Sequence, residues 1–341
     1  MRIRLKALDR QVMVITGATS GIGLATARAA AGRGAKLVLA ARNEDALRQL
    51  CDELQLQGHE AAYAVADVGR RADVERIADV AFERFGGFDT WVNNAGTLIY
   101  GRIEEVSDED AKRLFDTNFW GVWHGSRIAL RHLKRHGGAL INVGSDLSEH
   151  TAPLMGPYSA SKHAVMGLTD ALRVEVHQQR APVAVTLIRP SGIDTQIRRH
   201  ARNYMDVEPR LPPPVYAPEV VADAILHAAE HQTRDLFAGG AARVLSTLTH
   251  LGPLTSDWVM RRLMFGQLRS DKPAQHAEGA LHETMHSPLQ ERGGSERHVF
   301  KRSVYTKLAM HPRASRVAGY GLAAAAALAL YAHRGMRLRR S

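Results

Sequence analysis

Tyr158 and Lys162, in the run Tyr158-Ser159-Ala160-Ser161-Lys162, stand four residues apart and share one face if the stretch is helical. A phenol ionises near pH 10 and is a weak acid at neutrality, but a neighbouring ammonium lends it positive charge, so the pair is a candidate acid/base. The same two residues are also what an ordinary surface pair looks like, and the chemistry needs support from the rest of the chain. Ser145 stands thirteen residues before Tyr158, directly after the apolar run 137–143. A strand-end hydroxyl there can return through a loop to face a tyrosine in the next helix. Asn118 is a polar residue in a helical stretch that carries Phe115, Phe119, Trp120 and Trp123. A buried amide must find partners, so it is either a structural hydrogen bond or the holder of a water in a proton relay.

A second set of residues points to a dinucleotide. The apolar run 11–16 ends in Gly17-Ala18-Thr19-Ser20-Gly21-Ile22-Gly23 and is followed by the alanine-rich stretch 24–33. Strand, glycine turn and helix in that order let the backbone approach a ligand closely and aim the free N–H groups of the new helix at a pyrophosphate. The next strand, 36–41, ends in Arg42-Asn43, with no acid to accept from a ribose 2′-hydroxyl. Arg42 suits the extra phosphate instead, which makes NADP(H) the preferred cofactor and NAD(H) the alternative should Arg42 be only a solvated strand-end charge. Asp67-Val68 follow strand 61–65, placed to hold an adenine by its edge, and Asn94-Ala95-Gly96 follow strand 90–92.

The elements that must position these groups alternate. Strands at 11–16, 36–41, 61–65, 90–92, 137–143, 184–188 and 235–238 are separated by helical stretches at 24–33, 44–57, 71–85, around Asn118, 158–179 and 218–231. The alternation predicts an α/β fold of Rossmann type, a doubly wound parallel sheet with helices on both faces. Ser107 is a plausible N-cap, followed by Asp108, Glu109 and Asp110. His132 and His136 could pair on a metal, or be solvated residues at a helix end. No metal site is expected, and the single cysteine, Cys51, excludes an intrachain disulfide.

With these motifs in place, the chain from about residue 9 to residue 238 resembles the short-chain dehydrogenase/reductase family. The likeness rests on Thr16-Gly17-x3-Gly21-x-Gly23, Asn93-Asn94-Ala95-Gly96, Asn118, Ser145 and Tyr158-x3-Lys162, in order, over roughly two-thirds of the chain. It implies a seven-stranded parallel sheet and an oxidoreductase that interconverts a carbonyl and an alcohol by hydride transfer. In that family the tyrosine moves the proton, the serine hydrogen-bonds the substrate oxygen, and the lysine binds the nicotinamide ribose and lowers the tyrosine pKa, while the asparagine holds a relay water. These roles fall here to Tyr158, Ser145, Lys162 and Asn118. One departure stands out: Ser191 follows Pro190 where family members usually have glycine. The spacing from Pro190 to Thr195 is kept, so Ile193 through its backbone and Thr195 through its hydroxyl could still meet the carboxamide. Family members are usually homo-oligomers and act on a small-molecule carbonyl or alcohol, under a covering region that corresponds to residues 195–217 here.

Charge divides the chain further. Of the formal net charge of +10, most lies in residues 291–341, where eleven Lys and Arg face only Glu291 and Glu296. Nucleic-acid binding by the catalytic part, residues 1–240, loses its simplest support. In the extension, 241–341, residues 244–268 have helical apolar spacing and 270–297 are polar and expected to be poorly ordered. Residues 317–332 are uncharged, mostly alanine and leucine, and would form a helix about 24 Å long, shorter than a bilayer core. Membrane contact through this segment and a helix packed on protein both stay open. The start of the chain has no apolar signal region, which points to a cytoplasmic protein, membrane-associated if the tail attaches. A rival reading is a cofactor-binding scaffold without catalysis; the complete set of Asn118, Ser145, Tyr158 and Lys162 speaks against it.

Overall fold

The computed structural model describes residues 3–285 and 288–311. Its framework is β1 (Val12–Thr16), α1 (Gly21–Ala31), β2 (Lys36–Ala41), α2 (Glu44–Leu56), β3 (Ala61–Val65), α3 (Arg71–Phe85) and β4 (Thr90–Asn93), followed by α4 (Asp108–Phe115), α5 (Gly121–His136), β5 (Gly138–Val143), α6 (Gly156–Gln178), β6 (Val183–Pro190), α7 (Pro218–Glu230) and β7 (Asp235–Ala238). The seven strands form one parallel sheet in the order β7-β6-β5-β4-β1-β2-β3. Period-two alternation splits its side chains between two cores. Met13, Ile15, Leu37 and Leu39 pack with Leu24, Leu50 and Ile225 on one face, whereas Val14, Val38 and Ala40 pack with Ile77, Leu133 and Val176 on the other. Both faces are buried, which is why these strands read as unbroken apolar runs.

After β3 the chain returns across β1 to lay down β4 on its far side, and this reversal opens a crevice at the carboxyl ends of β1 and β4. Helices α4 and α5 are joined through a π-helical segment, Asp116–Trp120, which carries Asn118 into the interior. Ser107 caps α4 by accepting from the Asp110 N–H at 3.1 Å, as its position predicts. His132 is half-buried against Phe82 and Phe88 and stacks on His136, so only part of the pair is solvated. Among the described residues no group of His, Cys, Asp or Glu could hold a metal ion.

The extension departs from expectation. After β7 come α8 (Gly240–Leu251), α9 (Pro253–Val259), a π-helical turn Met260–Met264 and α10 (Phe265–Leu268). The polar stretch that composition marks for disorder has, in its described residues, a defined path. Arg269–Pro273 pairs with Val207–Pro209, and Val299–Phe300 pairs with Val215–Tyr216. Composition predicts disorder only for a segment with nothing to lie on; here the backbone finds partners in the covering region of the site. Finally α11 (Val304–Met310) docks beside β7, the Thr306 hydroxyl donating to the Phe237 carbonyl at 3.1 Å and accepting from Gly239 N–H at 3.0 Å. Among the described residues no helix is long and apolar enough to cross a membrane, and segment 317–332 lies outside them.

Acid is expected to loosen this docking. His227 on α7 stacks on His231, 4.3 Å between ring centres, and meets His311 edge-on at 5.7 Å. Burial, with the positive charge of His231 and His311 adding to it, pushes His227 down to about 4. Its folded pKa therefore lies below the unfolded value, so the unfolded chain binds the extra proton and stability falls as pH drops from about 6.5 towards about 4. His227→Phe should remove roughly 1 kcal/mol of that acid sensitivity, a figure reduced for solvent screening at a half-buried site. Thermal melts of the two proteins at about pH 7.5 and about pH 5 check this; equal loss on acidification in both would refute it.

Candidate active site

The glycine turn between β1 and α1 brings backbone to backbone. A Cβ at Gly23 would lie 2.0 Å from the Gly17 carbonyl oxygen, so only glycine allows α1 to start this close to the strand end. The turn is stapled to β4. The Thr16 hydroxyl accepts from the N–H groups of Asn94 and Ala95 at 3.0 and 3.1 Å, and the Asn94 amide donates to the carbonyls of Thr16 and Gly17 at 2.9 and 3.2 Å. Asn94 thus shapes the cradle, and Gly23 lies beneath it.

Above the cradle run two adjoining cavities of about 250 and about 150 Å³ that share Gly17, Ser20, Ala95, Gly96 and His200. The larger is bordered by Gly21, Ile22, Asn94, Ser145, Tyr158, Lys162, Pro190, Ile193 and Thr195. The smaller is bordered by Thr19, Arg42, Asn43, Asp67 and Val68. Every predicted cofactor residue except Gly23 therefore faces one continuous cleft, with the glycine turn at its centre, where the Gly21 N–H is met by the Gln290 carbonyl at 3.0 Å. The residues fit a dinucleotide. Arg42 and Asp67 are already engaged by protein. Arg42 donates to the carbonyls of Leu281 and His282 at 3.2 and 3.3 Å and to that of Ala280, and Asp67 pairs with Arg113 at 2.7 Å. Burial opposes ionisation of Asp67, but the Arg113 guanidinium and the Gly69 N–H hold its carboxyl below the usual range.

At the other end, Ser145 opens the turn Asp146–Ser148. Its hydroxyl accepts from Leu147 N–H at 3.1 Å and donates to Asp146 Oδ1 at 2.9 Å. Tyr158 is buried in the first turn of α6. Burial pushes its phenol up to about 12; the Ser145 hydroxyl works against the rise and the Asp146 charge adds to it. Lys162 reaches to within 5.7 Å of the Tyr158 ring centre and donates to the Val143 carbonyl at 3.0 Å. Burial also pushes Lys162 itself down to about 8. Asn118 stands behind these groups, fully buried. It accepts from Thr97 N–H at 2.8 Å and donates to the Thr97 carbonyl and the Ser161 hydroxyl at 2.9 and 3.1 Å, tying the β4 loop to α6.

The sequence model described as short chain dehydrogenase matches residues 11–206, more than half of the chain. The chain belongs to the short-chain dehydrogenase family. It is 44% identical to the uncharacterized oxidoreductase YxnA of Bacillus subtilis over 329 residues, 96% of this chain and 92% of that protein. It is 33% identical to 11-beta-hydroxysteroid dehydrogenase A of Arachis hypogaea, covering 74% and 75% of the two chains. Among solved structures it is similar to a short chain dehydrogenase/reductase from Burkholderia phymatum in complex with NAD, with TM-score 0.67, 27% identity and coverage of 80% and 100%. It is also similar to an alcohol dehydrogenase from the archaeon Thermococcus sibiricus complexed with 5-hydroxy-NADP, with TM-score 0.59, 32% identity and coverage of 67% and 95%. As a short-chain dehydrogenase it is an oxidoreductase acting on CH–OH and C=O groups with NAD(P).

Within this short-chain dehydrogenase the Ser191 departure is accommodated. Among the described residues only Leu154 and Arg180 take positive φ without being glycine, so Ser191 sits in an ordinary conformation, and its N–H bonds the Ala238 carbonyl at 3.0 Å. Three groups of residues in the cleft escape the motif reading. Asp146 and His150 border the larger cavity beside Ser145; their only sequence signal is adjacency to the serine. His200, in the covering region, turns inward and borders both cavities. From the extension, Met260, Met264 and Leu268 complete the apolar end of the larger cavity, and Ala280, Thr284 and Met285 border the smaller one. Nothing in the family motifs points that far along the chain.

Proposed function

We propose that this short-chain dehydrogenase is an NADP(H)-dependent reductase of apolar carbonyl compounds, with Tyr158 as the proton donor. The observation that carries the proposal is the cleft, with Arg42 at its narrow end and Ser145, Tyr158 and Lys162 at its wide one, lined there by Leu98, Tyr100, Leu147, Met155, Met260 and Met264. Such a wall selects for an apolar body on the substrate, since a polar one would lose its water without replacement. The cradle from Gly17 to Ile22 would hold the pyrophosphate, Arg42 the 2′-phosphate, Asp67 and Val68 the adenine edge, and Ile193 and Thr195 the carboxamide. The nicotinamide supplies the hydride. Tyr158, protonated throughout the neutral range, gives its proton to the carbonyl oxygen as negative charge develops there. Ser145 holds that oxygen once its hydroxyl turns from Asp146 to the substrate, and Lys162 brings positive charge to the ribose side of the cleft. Asn118 holds the β4 loop and α6 in register behind them, at the inner end of the proton path. Hydroxysteroid and alcohol dehydrogenases among the similar proteins support a carbonyl/alcohol pair of this kind.

The experiment is a titration of the full chain with NADPH and, separately, NADH, followed by quenching of tryptophan fluorescence. NADPH is expected to bind about tenfold tighter or better, the size of one charge-assisted contact. Tighter NADH binding would replace the NADP reading with an NAD-dependent enzyme, and binding of neither would overturn the proposal.

A further inference from the structure

Two described stretches of the extension, 279–285 and 288–295, contact the cofactor cleft at its two ends and at its centre. At the narrow end, Leu281 is buried and the carbonyls of residues 280–282 receive the Arg42 guanidinium, while Arg113 Nε donates to the Leu281 carbonyl at 3.2 Å. His282 pairs with Asp110 at 2.8 Å, and Ala280 N–H bonds the His200 carbonyl at 2.8 Å. At the centre, Gln290 lies alongside Ser20 in a parallel bridge, its carbonyl accepting from Gly21 N–H at 3.0 Å. At the wide end, the Gln196 amide donates to the Gln290 side chain and to the Arg292 carbonyl, and Ser295 N–H bonds the Asp194 carboxylate at 2.9 Å. Two ion pairs pin the stretch from outside, Glu291 to Arg28 at 2.8 Å and Arg292 to Glu219 at 2.7 Å. Ala280, Thr284 and Met285 border the smaller cavity, and this strap meets Arg42 and the Gly21 N–H, groups that a bound dinucleotide would also approach.

We propose that residues 279–285 and 288–293 are a retaining wall of the cofactor site, closing across the bound dinucleotide so that its release requires the strap to lift. The inference rests on the NAD(P)-dependent reading above, but not on which of the two cofactors is preferred. Three points argue for a built closure. The strap contacts both flanks of the cleft and the first turn of α1 between them. Its anchors are main-chain carbonyls and paired charges, groups that leave water only for a specific partner. The similarity to the Bacillus subtilis protein spans 96% of this chain and so extends into the strap. A wall of this kind acts on the dissociation rate more than on the chemical step.

The test lifts the strap without changing the cleft lining. A Cβ at Gly293 would lie 2.1 Å from the Thr195 carbonyl oxygen, a contact only a backbone shift can relieve, so Gly293→Val forces the strap outward. The double variant Glu291→Ala/Arg292→Ala removes both outer ion pairs at the surface and keeps the comparison sound if the glycine variant folds poorly. Full-length proteins are loaded with NADPH, or with NADH where the wild type binds that better, and chased with unlabelled excess of the other form while energy transfer from tryptophan to the reduced nicotinamide is followed in a stopped-flow instrument. Release at least about tenfold faster from the variants, with affinity falling in step, is the expected result. Release at the wild-type rate would overturn the inference, as would tighter binding in the variants, which would make the strap a competitor for the cleft. A wild type that prefers NADH would count against the NADP assignment alone, since the variant comparison is then read with NADH.

Discussion

Replacing Tyr158 with phenylalanine is expected to lower kcat for carbonyl reduction by about 10²–10⁴-fold, with NADPH affinity within about twofold of wild type. The ring and its packing stay, and only the hydroxyl is lost. No neighbouring group replaces it. The Ser145 hydroxyl is directed to Asp146 Oδ1 at 2.9 Å, and the Lys162 ammonium is directed to the Val143 carbonyl at 3.0 Å. Steady-state rates and a fluorescence titration of the same preparation separate turnover from binding; near-normal turnover would remove Tyr158 from the mechanism. The pH profile carries a second signature. Tyr158, pushed up to about 12, keeps its proton through the neutral and mildly alkaline range. Lys162, pushed down to about 8, is charged below that value and neutral above it. Reduction should therefore slow as pH rises through about 8, the sign expected for loss of a cation rather than loss of the donated proton, and the inflection should be absent in Lys162→Met.

Arg42→Ala should weaken NADPH about 10- to 150-fold more than it weakens NADH, the equivalent of about 1.5–3 kcal/mol for a hydrogen bond to a charged group. The comparison of the two cofactors matters because Arg42 has two connections. It ends β2 at the mouth of the smaller cavity, and it donates to the main-chain carbonyls of residues 280–282. If it reads the 2′-phosphate, the loss falls more heavily on NADPH. If its only work is to anchor the strap, both cofactors weaken together, and the NADP assignment fails. Burial and the nearby Arg113 already lower the pKa of Arg42, a sign that two cations share this end of the cleft and that an anion there would relieve them.

Much of the framework was legible in the residues because it is encoded at short range. β2, β3, α3 and β7 begin and end where the apolar runs and flanking turn residues place them, and α1 starts slightly earlier, at Gly21, because the glycine turn itself begins the helix. The parallel sheet follows from the alternation of these elements, and the crevice from the point where their order reverses. Ser145 sits two residues past the end of β5, and Tyr158 and Lys162 lie in the first two turns of α6, the helix that follows. The electrostatics were less legible. Burial, which no local pattern reports, outweighs the helical spacing of Tyr158 and Lys162 in setting their protonation, and Asn118 is committed to Thr97 and Ser161, residues on two other elements.

The strap at the site belongs to tertiary structure alone. The contact between Arg42 and Leu281 joins residues 239 apart, and the bridge from Ser20 to Gln290 is of the same kind. The strap has no apolar period to announce it, and its polar composition argues for a free tail. Its order comes from main-chain groups and charges whose partners exist only once β1, β2 and the covering region have been brought to one edge of the sheet. What the sequence by itself determined was therefore the sheet and the glycine turn, each carried by local period and turn chemistry, while the roles proposed for Tyr158, Ser145 and Lys162 came through the family resemblance. What the tertiary structure decided was the inward turn of His200, the place of His150 at the larger cavity, and the contact of the extension with the cleft, because these depend on which distant surfaces meet.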